Sequence, residues 1–287
     1  MMRVLLVAFA ALIGLGQTAG AADLSGTLKR IKDTGQFTIG YRSDAPPFSS
    51  EDANKQAMGF SIDLCQRIAE GAKQKLGLGS LKVVFVPLTA ESRFAAVADG
   101  SVDIECGVST ITLNREEIVD FSLMTFITGA SLMTLADSEI PNVDQLAGKK
   151  LSVVAGTTTE KALAQKLADL GLKADVIKVK DHAEAMAKLD AREVAAHVGD
   201  QLTLIGLARK SADPGKYALV VEPFTYEPYG LMVRRNDADF RLVVNRVLAG
   251  LYRSGEIGKI YERWFGDWGG KPSRLLIAMW ALNGIPE

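Results

Sequence analysis

Residues that bind metals or carry redox chemistry are scarce in this chain. Its 287 residues hold two cysteines and two histidines, and neither cysteine has a metal-ligand neighbourhood, which sets zinc aside. No charge of one sign dominates: 33 Lys and Arg against 34 Asp and Glu leave a net charge of -1. No basic stripe or aromatic-basic patch marks a nucleic-acid or membrane surface. The patterns G-x-S-x-G, H-E-x-x-H, the P-loop and G-x-G-x-x-G are missing, so the common hydrolase, metalloprotease and nucleotide sites lack a sequence basis. Beyond the N-terminus no apolar run approaches 18 residues, so no membrane span is expected.

The first 22 residues read as a signal peptide. Arg3 supplies a small positive region, Val4 to Leu15 are almost purely apolar, and Ala19-Gly20-Ala21 fits a small-x-small cleavage site near Ala21/Ala22. The apolar run is short of the about 20 residues a spanning helix needs, and no cysteine is placed for lipid attachment. Export to the periplasm is the expectation. The remaining residues suffice for one large or two modest domains. In an exported chain two cysteines permit one disulfide. Cys65 falls in an expected helix, however, and Cys106 at a strand end beyond another crossover. That placement favours two buried free thiols over a bridge.

Strands and helices alternate along the chain. Phe37 to Tyr41 reads as a buried strand, and Ile62, Cys65, Ile68, Ala69, Ala72 and Leu76 repeat at helical spacing. Leu81 to Val86, the helix Glu91 to Ala98, and Val102 to Glu105 complete one β-α-β-α-β unit. Leu151 to Ala155, Ala162 to Leu170, Val176 to Val179, the Asp181-capped helix through Leu189, and Val194 to Val198 make a second. The apolar segments Phe126 to Leu135 and Tyr229 to Arg234 are expected to cross between them, and Ala238 to Trp268 to be helical. The economical architecture is a two-lobed α/β protein with a cleft between parallel-sheet lobes. Residues 23–127 and 230–287 would form lobe 1, and residues 128–229 lobe 2.

In open parallel sheets, ligands bind beyond the carboxyl ends of the strands. Those ends collect Arg42, Arg93, Ser109, Thr110, Arg115, Thr158, His182 and Asp200. Each has a plain alternative: solvated cations for the arginines, helix caps for the hydroxyls and for Asp200. His197, inside an apolar strand, reads as structural. Convergence on one pole carries the functional reading. A guanidinium at Arg115 can hold a carboxylate bidentately, aided by hydroxyls and free helix-start amides near Thr110 and Thr158. Asp200 would take an ammonium. Carboxylate plus ammonium describes an α-amino acid, and Arg42, Arg93 and His182 are left for a second carboxylate.

The segments "APPFSS", "MGFSIDLCQRIAE", "STITLNREEIVDFS", "VVAGTTTEKAL" and "GEIGKIYERWFGDW" resemble, in order, those of bacterial periplasmic solute-binding proteins for polar amino acids. Within that family, the receptors of ABC importers, "TAESR", "DIECG" and "VKDHAEA" are similar to the glutamate/aspartate-binding branch. The resemblance implies a type II periplasmic-binding-protein fold and a monomer serving an inner-membrane ABC permease. It implies no cofactor, no metal and no catalysis. It implies Arg115, Thr110 and Thr158 on the ligand α-carboxylate, with Ser109 beside them. Asp200 would face the ammonium, Arg42, Arg93 and His182 the side-chain carboxylate of L-glutamate or L-aspartate, and Phe48 the cleft wall. Ala90 and Val108 stand where that branch tends to have serines, which keeps a related dicarboxylic or amide-bearing amino acid in play. Cyclohexadienyl-type dehydratases resemble the same fold and are the enzymatic alternative.

Overall fold

The structure is a computed structural model that describes residues 24–138, 140–220, 222–268 and 270–287. The signal peptide expected over residues 1–22 lies outside the described residues. The first strand, Gln36–Arg42, is buried at six of its seven positions, which is why it reads as an apolar run without alternation. It pairs in parallel with Lys82–Leu88 on one side and Ile104–Glu105 on the other. Met232–Arg234 and then Val119–Phe121 complete a five-stranded sheet. Helices Phe60–Leu76 and Arg93–Ala98 make the crossovers.

A second five-stranded sheet repeats that order. Lys150–Val154 lies between Asp175–Val179 and Ala196–Asp200, followed by Ala130–Leu135 and Tyr217–Leu219. The chain passes between the sheets twice, and Glu227–Tyr229 pairs antiparallel with Phe126–Thr128 at the crossing. This is the two-lobed α/β architecture that the alternation predicts. No helix among the described residues is long and apolar enough to cross a membrane.

Four details differ from the sequence reading. The C-terminal helix is not continuous. Gly255, at φ 74°, ends Ala238–Ser254, and Glu256–Phe265 starts anew. Both pieces bury residues in the same core cluster, so the apolar spacing runs on across the break. Helices Gly26–Thr34 and Arg274–Asn283 were not anticipated. The loop after the first strand holds a small sheet of Asp44–Ala45, Ser49–Glu51 and Ala57–Met58. Finally, Cys65 and Cys106 are bridged, with Cα atoms 6.4 Å apart, not free. The crossover helix before a strand does not decide where its side chains point; strand alternation does. Ile104 and Cys106 project into the core beneath helix Phe60–Leu76, and Glu105 projects the other way.

Candidate functional site

The carboxyl ends of both parallel sheets meet at one cavity between the lobes. It is narrow, with about 20 Å³ available to water centres, room for about one water. Five predicted residues line it: Arg42, Arg93, Thr158, His182 and Asp200. Val108, Val154 and Val198 supply apolar wall. Arg42 ends the first strand, and Asp200 ends Ala196–Asp200. Arg93, Thr158 and His182 each open a helix. The fold therefore delivers one charged or hydroxyl group per strand end.

The other four predicted residues sit off that wall. Thr110 Oγ1 donates to Glu227 Oε2 at 2.5 Å and lies 3.1 Å from Thr158 Oγ1 across the lobes. Arg115 Nη1 donates to the Thr110 carbonyl at 2.8 Å, and its guanidinium lies 5.0 Å from the Phe94 ring centre. Ser109 donates to Glu105 at 2.8 Å. Phe48, expected on the cleft wall, is instead fully buried, edge-on to Phe60, Phe126, Tyr229 and Phe265. An aromatic following Pro46-Pro47 packs inward here because those rings leave it a place beneath Tyr229.

Sequence reasoning gave too little weight to the carboxylates. Glu227 Oε2 also accepts from Thr158 Oγ1 at 2.7 Å, so it holds both hydroxyls expected to meet a ligand carboxylate. Asp44 grips Arg42 through two bonds of 2.9 Å and accepts the His182 backbone N–H at 3.0 Å from the other lobe. Burial opposes its charge, but Arg42 and His182 together hold its carboxyl below the usual range. Asp200 accepts from Thr159 at 3.0 Å and from the Tyr229 hydroxyl. Burial and then the Glu227 charge push it up to about 6. Burial raises the Glu105 carboxyl as well. Arg93 falls to about 10 through burial, offset by Glu105, with Arg42 and Arg115 adding repulsion, and it stays protonated at neutral pH. The one signal for Asp44 and Glu227 was proximity in sequence, to Arg42 and to the crossing strand.

His197 is more than a core histidine. Its Nε2 lies 2.9 Å from His182 Nδ1, and its Nδ1 lies 3.1 Å from Ser152 Oγ and 3.2 Å from the Ser152 carbonyl. Burial lowers His182 to about 4 and His197 to about 3, so both are neutral at pH 7.

Cations, carboxylates and hydroxyls from both lobes thus converge on one enclosed cavity. Residues 37–267 match the profile of the bacterial extracellular solute-binding proteins, family 3. The chain belongs to that family. This family 3 solute-binding protein is 37% identical over 246 residues to the L-glutamate/L-aspartate-binding protein of Pseudomonas aeruginosa, covering 85% of this chain and 82% of the relative. Among solved structures, an ancestral arginine-binding protein bound to glutamine superposes with a TM-score of 0.72 at 31% identity, covering 81% and 98% of the two chains. An ancestral amino-acid-binding protein described as a precursor of cyclohexadienyl dehydratase gives 0.71 at 29% identity, covering 84% and 100%. The family 3 solute-binding protein thus has the type II two-lobed fold of these neighbours.

Proposed function

We propose that the chain is the periplasmic receptor of an amino-acid ABC importer, taking an α-amino acid whose side chain ends in a carboxylate or carboxamide. The observation that carries this reading is the meeting of groups from both lobes around one cavity. Arg115, Thr110 and Thr158 hold the α-carboxylate. Asp200 and Glu227 accept from the ammonium, and Arg42, Arg93 and His182 receive the side chain. The ligands named for the Pseudomonas relative, glutamate and aspartate, belong to this class. The space between the lobes is far smaller than any amino acid, so binding requires the lobes to part and close again about the two crossing strands.

A dehydratase is the rival on this fold, favoured by the ancestry named for one structural neighbour. It needs a free proton donor aimed at a leaving hydroxyl. Of the acids formally available, Asp44 and Glu227 are engaged by Arg42 and by two threonine hydroxyls, and Glu91 is exposed and off the cavity wall. Thermal-shift screening against the twenty amino acids and common dicarboxylates tests the reading. Members of the glutamate, aspartate, glutamine and asparagine group should raise the melting temperature, by linkage of binding to folding. Stabilisation by lysine or arginine alone, or aromatic product from prephenate or arogenate, would overturn it.

A further inference from the structure

We propose that the side-chain end of the cleft selects a carboxamide over a carboxylate at neutral pH, because His197 fixes His182 as a hydrogen-bond acceptor there. This rests on the amino-acid receptor reading above. The Ser152 carbonyl lies 3.2 Å from His197 Nδ1. A carbonyl can only accept, and the Ser152 hydroxyl at 3.1 Å can accept as well as donate, so a proton on Nδ1 is the arrangement that satisfies both oxygens. Ser152 and His197 are register partners on adjacent parallel strands, so this contact is built into the sheet. His197 Nε2 is then a lone pair, and the His182 Nδ1 atom 2.9 Å away must donate to it. His182 is a wall residue of the cavity, and its remaining nitrogen, Nε2, is left bare.

The neighbours of His182 reinforce that polarity. Asp44 and Arg42 face it from the first lobe, Asp181 caps its own helix, and His197 backs it from the sheet. Arg42 is already engaged bidentately by Asp44 through Nε and Nη2, which leaves only its Nη1 for a ligand. Arg93 is the freer donor. Its Nε has no partner, and its Nη1 makes one long bond of 3.4 Å to the Val108 carbonyl. Among the described residues, three guanidiniums (Arg42, Arg93, Arg115) face four carboxylates (Asp44, Glu105, Asp200, Glu227) around the cleft. A further negative charge is therefore unwelcome. A carboxamide fits the pattern, with its oxygen on Arg93 and its NH₂ toward His182 Nε2 and Asp44. A carboxylate offers acceptors only, and it meets the His182 lone pair unless His182 takes up a proton.

Isothermal titration at pH 7.5 with glutamine, asparagine, glutamate and aspartate tests this. The better amide should bind about 10- to 100-fold tighter than the corresponding acid, the scale of one unmatched buried polar group. Protonation of Asp200 as pH falls through about 6 weakens the ammonium contact for both ligands alike, so the glutamate-to-glutamine affinity ratio should rise between pH 7.5 and 5.5. Two-bond ¹H–¹⁵N correlation spectra should show His182 with a protonated Nδ1 and a bare Nε2. In a His197→Phe variant that melts like wild type, the amide-to-acid ratio should collapse toward one. Tighter glutamate than glutamine at pH 7.5, a proton on His182 Nε2, or an unchanged ratio in that variant overturns the proposal while leaving the receptor reading intact. If none of the four ligands binds, the receptor reading falls, and this one with it.

Discussion

Asp200 shows how one residue is set by its surroundings. It ends a buried strand, accepts from Thr159 and Tyr229, and shares its space with Glu227. A ligand ammonium would relieve that crowding. Asp200→Asn should therefore lower amino-acid affinity by about 2–5 kcal/mol, through the buried charge left unpaired, and Arg115→Ala should do the same from the carboxylate side. Calorimetry reads both, and wild-type affinity in either variant would contradict the site. The two histidines make a second prediction. Unfolded, each titrates near 6.5; folded, they hold out to about 4 and about 3. The unfolded chain takes up protons first, so stability falls as pH drops below about 6.5. Asp200 works the other way, since its raised folded pKa favours the native state as pH falls through about 6. Glu105 and Asp103, also raised by burial, act in the same sense as Asp200, so a histidine variant is needed to isolate the histidine contribution. His197→Phe should flatten the acid limb of melting temperature against pH, and an equally steep limb would refute the assignment. Arg42, Arg93 and Asp200 were legible in the sequence because strand ends announce themselves. Asp44 and Glu227 were legible only as acids available to the cleft, since their partners are fixed only when the two lobes meet.

Helix Gln201–Lys210 governs how closely those lobes approach. It packs against the Pro46-Pro47 turn of the first lobe, and Lys210 Nζ donates to the Glu51 carbonyl at 2.6 Å. Gly206 lies at the contact, where an added Cβ would come within 2.4 Å of the Pro46 carbonyl oxygen and 2.6 Å of its carbon. Backbone cannot move aside as a flexible side chain can. In an isolated helix Gly→Ala is stabilising by about 1 kcal/mol, so Gly206→Ala separates local from interlobe effects. Its melting temperature should hold or rise, while ligand affinity drops and small-angle scattering with ligand stays more extended than wild type. Equal affinity and equal compaction would show that the contact does not govern closure. At this scale periodicity identified the crossover helices, whose apolar faces are wide and regular. It missed Gly26–Thr34, which buries only Thr27, Leu28 and Ile31, and it ran through the Gly255 break because both helices serve one core.

Across the whole molecule, the two sheets share a strand order and are joined by a short antiparallel pair of three residues each. That economy of connection was readable from two β-α-β-α-β patterns and two apolar crossings. The closed spacing of the lobes was not, because it depends on contacts such as Thr110 with Thr158 and His182 with Asp44. The disulfide has a reach beyond the core it sits in. Cys106 adjoins Glu105 and leads through Gly107 and Val108 into Ser109 and Thr110, so the bridge to Cys65 moors the segment proposed to meet the ligand carboxylate. A Cys65→Ser, Cys106→Ser pair should lose about 4 kcal/mol in urea titration, the loop-closure value for a 41-residue span. It should also bind its amino acid more weakly. Unchanged affinity would show that the mooring is irrelevant to the site. If the mooring matters, oxidation sets the moment of competence. A copy still among cytoplasmic thiols would then draw less on the cell's own amino-acid pool than one oxidised after export.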